Sequence, residues 1–225
     1  MYAFVTGPLA WLSFLIFFVG VIARAVMYVK GLDWKLDRVP YGHFNRYGVR
    51  GAVRSVVSWL IPFGTSGWRQ NPGFTVLVFV FHIGLLVTPV FLLAHNVLLR
   101  ERWGFSLWTF PEVVGDGLTV AVLVAAVFIV LRRIALPEVR IITKPYDFLV
   151  LAIAVAPFLT GFLAYHQVGS YDFWIVAHVL CGEIMLVAIP FTKLSHFLLF
   201  FLSRAQLGMD FGIKRGGMKN KGMAW

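Results

Sequence analysis

The sequence predicts an all-α integral membrane protein with five transmembrane helices, its N-terminus outside and its C-terminus cytoplasmic. Three observations carry that expectation. Five apolar stretches long enough to cross a bilayer lie at roughly 5–29, 74–99, 117–131, 147–166 and 172–202. Charged residues make up 13% of the 225, whereas a soluble domain carries about a quarter. Basic residues are shared very unevenly among the connections between the stretches. The alternating pattern of a membrane β-barrel is absent, and so is any period of 20–50 residues that would mark a repeat array. Residues 1–203 are expected to form the membrane domain and 204–225 a basic, glycine-rich cytoplasmic tail.

Taken in order, the opening "MYAFVTGPLAWLSFLIFFVGVIAR" lacks a basic n-region and an A-x-A cleavage signal. It reads as a retained first span, not a removable signal peptide. The connection 31–72 contains Arg46, Arg50 and Arg54 every four residues, with Val49, Val53, Val57 and Leu60 beside them. That pattern suits a short helix lying on the cytoplasmic surface. Gly48 and Gly51 weaken such a helix, so an ordinary basic loop fits equally well. Span two contains Pro89, which can kink or unwind it. Span three is short and has to borrow flanking residues. Span five is overlong and is expected to run beyond the membrane at its C-terminal side, into the tail "GIKRGGMKNKGMAW".

Orientation follows from charge. The connections after spans one and three, together with the tail, hold seventeen basic residues, against only Arg100 and Arg102 on the other side. This is a strong positive-inside bias. The net charge of +10 is therefore mainly a topology signal, and it can also meet anionic lipid or an acidic partner. Its spread over three membrane-flanking segments argues against nucleic-acid binding. Cys181, the only cysteine, excludes an intrachain disulfide and a cysteine-ligated iron–sulfur cluster. It reads as a small buried apolar side chain.

The histidines carry the functional signal. His82 and His95 lie in span two, and His178 and His196 in span five. His166 ends span four, and His43 reads as a solvated loop residue. The two spans run in opposite directions, so His82 matches His196 in depth on the cytoplasmic side, and His95 matches His178 on the outer side. Ionisable residues within spans are rare and usually functional. On one continuous helix the eighteen-residue interval from His178 to His196 is five full turns. Both rings would then point the same way, about 27 Å apart. The thirteen residues between His82 and His95 give about 220° of rotation, so they share no face unless Pro89 breaks the helix. Zinc would want four ligands, and each pair offers two nitrogens. A haem iron, already held by its porphyrin, needs only two axial ligands, so two bis-histidine b-type haems fit. No C-x-x-C-H occurs, so covalent attachment is not expected.

At these residues the sequence resembles the haem b gamma subunit of respiratory nitrate reductase. The resemblance rests on "FHIGLL" in span two, on "HVLCGE" followed by "PFTKLSH" in span five, and on "RRIALPEVRIITKPYDFLVL" between spans three and four. It covers nearly the whole chain except residues 31–72 and the tail, and the eighteen-residue histidine spacing matches. The second histidine of span two comes a few residues later than in that family. The long first connection and the tail look more like relatives in sulfate-reducing bacteria, which work beside iron–sulfur subunits similar to heterodisulfide reductase.

The resemblance implies a dihaem cytochrome b subunit of a respiratory complex in the bacterial inner membrane, with the ligand pairs His82–His196 and His95–His178. It implies electron transfer between the quinone pool, menaquinone among the candidates, or outer-side partners and a cytoplasmic iron–sulfur subunit. Other membrane subunits and a periplasmic multihaem cytochrome c are further implied partners. The family's quinol site lies at the outer haem, where Asn96, Arg100, Tyr165 and His166 stand here. Lys193 is either a cation for a haem propionate or a snorkelling lysine. The family's basic residue in the same motif favours the first. Glu183 either relays a proton or bonds to a neighbouring helix, and His166 is either a quinone contact or an interfacial residue. Two other classes compete: a non-haem membrane anchor and a transporter subunit. The few charged residues within spans speak against an ion path.

Overall fold

The computed structural model describes residues 2–32 and 45–214. In chain order the helices are α1 (Tyr2–Lys30), α2 (Asn45–Leu60), α3 (Ser66–Gln70), α4 (Pro72–Phe91), α5 (Leu93–Trp103), α6 (Glu112–Ala135), α7 (Pro137–Arg140), α8 (Pro145–Tyr165), α9 (Tyr171–Phe191) and α10 (His196–Lys214). No strand occurs among the described residues. Five helices, α1, α4, α6, α8 and α9, are long and apolar enough to cross a membrane. The chain is an all-helical, multi-pass membrane protein. Large apolar side chains such as Trp11, Phe18, Ile22, Ile83, Leu86 and Phe128 are exposed on these helices, as a lipid solvent requires.

The chain divides into two compact units. The first comprises residues 1–13 and 76–186. Its core is Phe81 on α4, Val122, Ala125 and Ala126 on α6, and Phe158 on α8, flanked by Leu77, Leu85, Leu151 and Val155. Gly84 lets α4 approach closely, because a Cβ there would run into Val122. Helix ends are set locally. Pro145 opens α8, where Asp147 Oδ2 accepts from Lys144 N at 2.8 Å and caps the helix start. Gly104, at φ 74°, closes α5 in the left-handed conformation.

The second unit comprises residues 14–75 and 187–225. Its centre is the pairing of α2 with α10. A Cβ on Gly51 would collide with the Gly208 carbonyl oxygen, one on Gly208 with Gly51 and Ser55, and one on Gly212 with Tyr47. Two backbones meet there with almost nothing between them, the small-residue packing favoured in membranes. Ser55 is fully buried at this contact. Arg46, Arg50, Val49 and Val53 are exposed on α2. The Tyr28 hydroxyl donates to Gln206 Oε1 at 2.6 Å, and the Arg204 guanidinium lies over the Trp59 ring, 4.9 Å from its centre.

Several expectations change against this structure. The 31–72 segment does contain a helix, and the glycines that weaken it by propensity are the residues that seat it on α10. Span two is split at Leu92, which is extended (ψ 135°) between α4 and α5. Span three is longer than expected, because Glu112–Asp116 and Arg132–Ala135 join it. Span five does not run to residue 202. Thr192 is extended (φ −119°, ψ −174°), its hydroxyl accepts from Leu194 N, and a short 3₁₀ turn leads into α10. Pro190 ahead of it cannot donate to the helix ladder. His178 and His196 are therefore on separate helices, and the single-rod geometry fails. Residues 204–214, expected in the tail, are the second half of α10. His43 and residues 215–225 lie outside the described residues.

The glycine contact gives a direct test. Gly51→Val should push α2 off α10, costing about 1–3 kcal/mol by overpacking. At about 2–4 °C per kcal/mol for a chain of this size, the thermal midpoint of the solubilised protein should fall by several degrees. Gly67→Ala, where a Cβ meets nothing within 4 Å, should leave it unchanged. Equal midpoints for the two variants would contradict the close packing.

Candidate functional site

The break at Leu92 builds the site in the first unit. In an unbroken helix the carbonyls of Pro89, Val90 and Phe91 would accept from the amides of residues 93–95. The break removes that ladder, and a carbonyl left unpaired in an apolar span is costly. Each of the three finds a different donor. His95 Nδ1 donates to Pro89 O at 2.8 Å. Asn96 Nδ2 donates to Val90 O at 2.8 Å, and Phe110 N donates to Phe91 O at 3.0 Å. Asn96 Oδ1 in turn accepts from Leu107 N at 2.8 Å, which ties the loop after α5 onto the break. Phe91, Trp108 and Phe110 pack around it.

His95 is thereby held against His178 of α9. Their ring centres are 5.8 Å apart and their planes differ by 17°. His178 Nδ1 donates to Pro157 O of α8 at 2.8 Å. Gly161 makes room for that ring, because a Cβ there would come within 2.9 Å of both Cε1 and Nδ1. The same chemistry recurs at the other two histidines. His82 Nδ1 contacts Val78 O at 2.8 Å, and His196 Nδ1 contacts Lys193 O at 2.8 Å. A carbonyl only accepts, so Nδ1 carries a hydrogen in all four rings, and Nε2 is the nitrogen that would be offered to a metal. Metal-ligating histidines are oriented in this way, with the remote N–H donated to a carbonyl or carboxylate.

This donor set can be tested against a haem. Two imidazoles on opposite sides of one metal, each about 2.0–2.1 Å from it, have ring centres roughly 6 Å apart. The 5.8 Å separation of His95 and His178 fits. Among the described residues no three of His, Cys, Asp and Glu converge on a point where protein ligands alone would hold a metal, whereas a porphyrin-held iron needs only two. His82 lies in the first unit and His196 in the second, and both are exposed. Next to His196, Arg24 NH2 donates to Ser195 Oγ at 3.4 Å, while its buried Nε bonds to nothing. A guanidinium with donors to spare beside a ligand-type histidine suits a carboxylate such as a haem propionate. In the sequence Arg24 reads only as one of the seventeen topology charges; its place at the C-terminal end of a span was the available signal. Lys193 is exposed in the adjoining turn.

The remaining expected residues all lie in the first unit. Asn96 is buried, and all its bonding goes to the helix break and the loop. His166 Nε2 lies 2.9 Å from Asp116 Oδ1, and the Tyr165 hydroxyl donates to Glu112 Oε2 at 3.3 Å. These four form a polar cluster where α8 ends and α6 begins. Arg100 is exposed in the last turn of α5. Glu183 is only 6% exposed, and neither of its carboxylate oxygens has a hydrogen-bond partner. Cys181 is half-buried.

By its fold the chain is a multi-pass helical membrane protein with paired histidines. A protein of Nitratidesulfovibrio vulgaris is 57% identical to it over 217 residues, 96% of each chain, and the chain belongs to the same family as that protein. No family model matches the sequence.

Asn96→Ala should leave Val90 O and Leu107 N unpaired. The expected cost is about 1–3 kcal/mol, read as a lower thermal midpoint and faster proteolysis of the loop 104–111. Unchanged stability would mean that Asn96 does not hold the break.

Proposed function

We propose that the protein is a dihaem cytochrome b subunit that carries electrons across the bacterial cytoplasmic membrane. The observation that carries the reading is the His95–His178 pair. The two rings are near-parallel with centres 5.8 Å apart, and each bonds a carbonyl through Nδ1, which would leave Nε2 for a metal. His95 and His178 would hold one haem, and His82 and His196 the other. Haem, when bound, supplies the one-electron carrier. The chain fixes the orientation of each imidazole through Pro89 O, Pro157 O, Val78 O and Lys193 O, so that little rearrangement accompanies electron transfer. Arg24 and Lys193 would neutralise the propionates of the haem at His196. The surrounding apolar helices would exclude water and set the potential.

The basic-residue asymmetry supports an orientation with the N-terminus outside and the C-terminus cytoplasmic. In that orientation His82 and His196 lie towards the cytoplasm. Arg46, Arg50 and Arg54 on α2 would then offer a docking face to a cytoplasmic iron–sulfur subunit. The cluster Tyr165, His166, Glu112 and Asp116 would lie on the outer side. There His166 and its carboxylate partner can take protons released from a quinol, consistent with electron exchange with the quinone pool.

The test is the reduced-minus-oxidised visible spectrum of the purified protein and its variants. His95→Ala and His178→Ala should each remove the same haem, halving the haem per chain, and His82→Ala and His196→Ala should remove the other. Spectra without haem bands, or variants of one pair affecting different haems, would overturn the reading. Arg24→Gln should leave both haems bound and lower the potential of the haem held by His196, because a positive charge that favours the reduced form is lost. Potentiometric titration checks this, and a drop confined to the other haem would contradict it.

A further inference from the structure

Glu183 sits where a carboxylate needs a partner and has no hydrogen-bond partner. It lies near the middle of α9, five residues beyond His178 and so about 7–8 Å further along the helix axis. It is buried, and both carboxylate oxygens lack a partner. A carboxyl at that depth is strongly disfavoured as a bare anion. It needs either a proton or a cation.

The first unit has no cation to give it. Arg100, Arg102, Arg132, Arg133, Arg140 and Lys144 all stand at helix ends or in connections, and α4, α6, α8 and α9 carry no lysine or arginine in mid-span. The other titratable groups of these elements are few. His82 is on α4, and His95 and Glu101 are on α5. Glu112 and Asp116 begin α6. Tyr146 and Asp147 begin α8, and Tyr165 ends it. On α9 itself are Tyr171, Asp172, His178 and Cys181. Each of the four histidines bonds a carbonyl through Nδ1. Within the first unit the remaining source of positive charge is the group that His95 and His178 would hold. A haem with two neutral imidazoles carries one net positive charge at its iron–porphyrin core when oxidised and none when reduced.

We infer that Glu183 is a redox-linked proton site. This rests on the haem reading above. When one electron reaches the iron, the charge that balanced the carboxylate disappears, and one carboxylate oxygen takes one proton drawn from solvent. On oxidation the electron leaves to the acceptor and the proton is returned. The charge inside the span is the same before and after, so the electron crosses a low-dielectric region without leaving uncompensated charge there.

The experiment is a potentiometric titration of both haems in the full-length, haem-loaded protein between pH 6 and 9, for the wild type and for Glu183→Gln. In the wild type one haem should become harder to reduce as pH rises. The limit is roughly tenfold in the equilibrium constant per pH unit, which is about 59 mV for one electron. In the glutamine variant that slope should vanish while both haem bands remain. A reduced-minus-oxidised infrared spectrum of the wild type, which needs no variant, should show a protonated carboxyl C=O stretch gained on reduction. The same band should be missing from Glu183→Gln. Identical slopes in the two proteins, or a wild type with neither slope nor carboxyl band, overturns the inference and leaves the haem reading standing. Absence of haem bands from the wild type overturns the haem reading and this inference with it.

Discussion

Within a bilayer every backbone carbonyl needs a donor from the protein itself, and most of the site depends on how that requirement is met at Leu92. A continuous helix would satisfy Pro89, Val90 and Phe91 without any side chain. Once Leu92 is extended, three carbonyls have to be paired by groups from elsewhere, and His95, Asn96 and Phe110 supply them. The bond that repairs the helix is also the bond that fixes the tautomer and aim of an imidazole. Structure and chemistry therefore share one interaction, and the same logic recurs where His178 reaches across to Pro157 O beside Gly161.

Small residues do comparable work in the second unit. Gly51, Gly208 and Gly212 bring two backbones into contact and leave Arg46, Arg50, Val49 and Val53 facing outwards on α2. A helix that would be marginal alone is held by that contact, because association in lipid depends on close packing rather than on hydrophobic burial. The break at Thr192, next to Pro190, does for His196 what the break at Leu92 does for His95. In both cases a histidine follows shortly after an extended residue and bonds its Nδ1 to a nearby carbonyl.

Much of this was legible in the sequence. The five apolar runs and the charge content identified the membrane class, and the boundaries moved by only a few residues at α1, α6 and α8. Pro89 flagged the interruption of span two, and the matched depths of His95 and His178 anticipated their meeting. The failure came at His196. Periodicity alone assumed an unbroken helix through Pro190 and Thr192, since an apolar run does not record where a hydroxyl caps a new turn. Asn96 was legible as a polar residue at depth but not as a clamp, because its partners Val90 O and Leu107 N are backbone atoms without a sequence signature. Arg24 was hidden among the topology charges. Glu183 was visible as a charge within a span, but its lack of partners emerged only from packing.

The central claim is that histidine pairs on broken helices bind two six-coordinate haems. The most direct measurement is the haem content and spin state of the purified full-length chain, by haemochrome quantification together with low-temperature electron paramagnetic resonance of the oxidised protein. Two haems per chain, both low-spin as expected for bis-imidazole ligation, is the anticipated result. No haem, or haem that is high-spin because one axial position lacks a histidine, would contradict it.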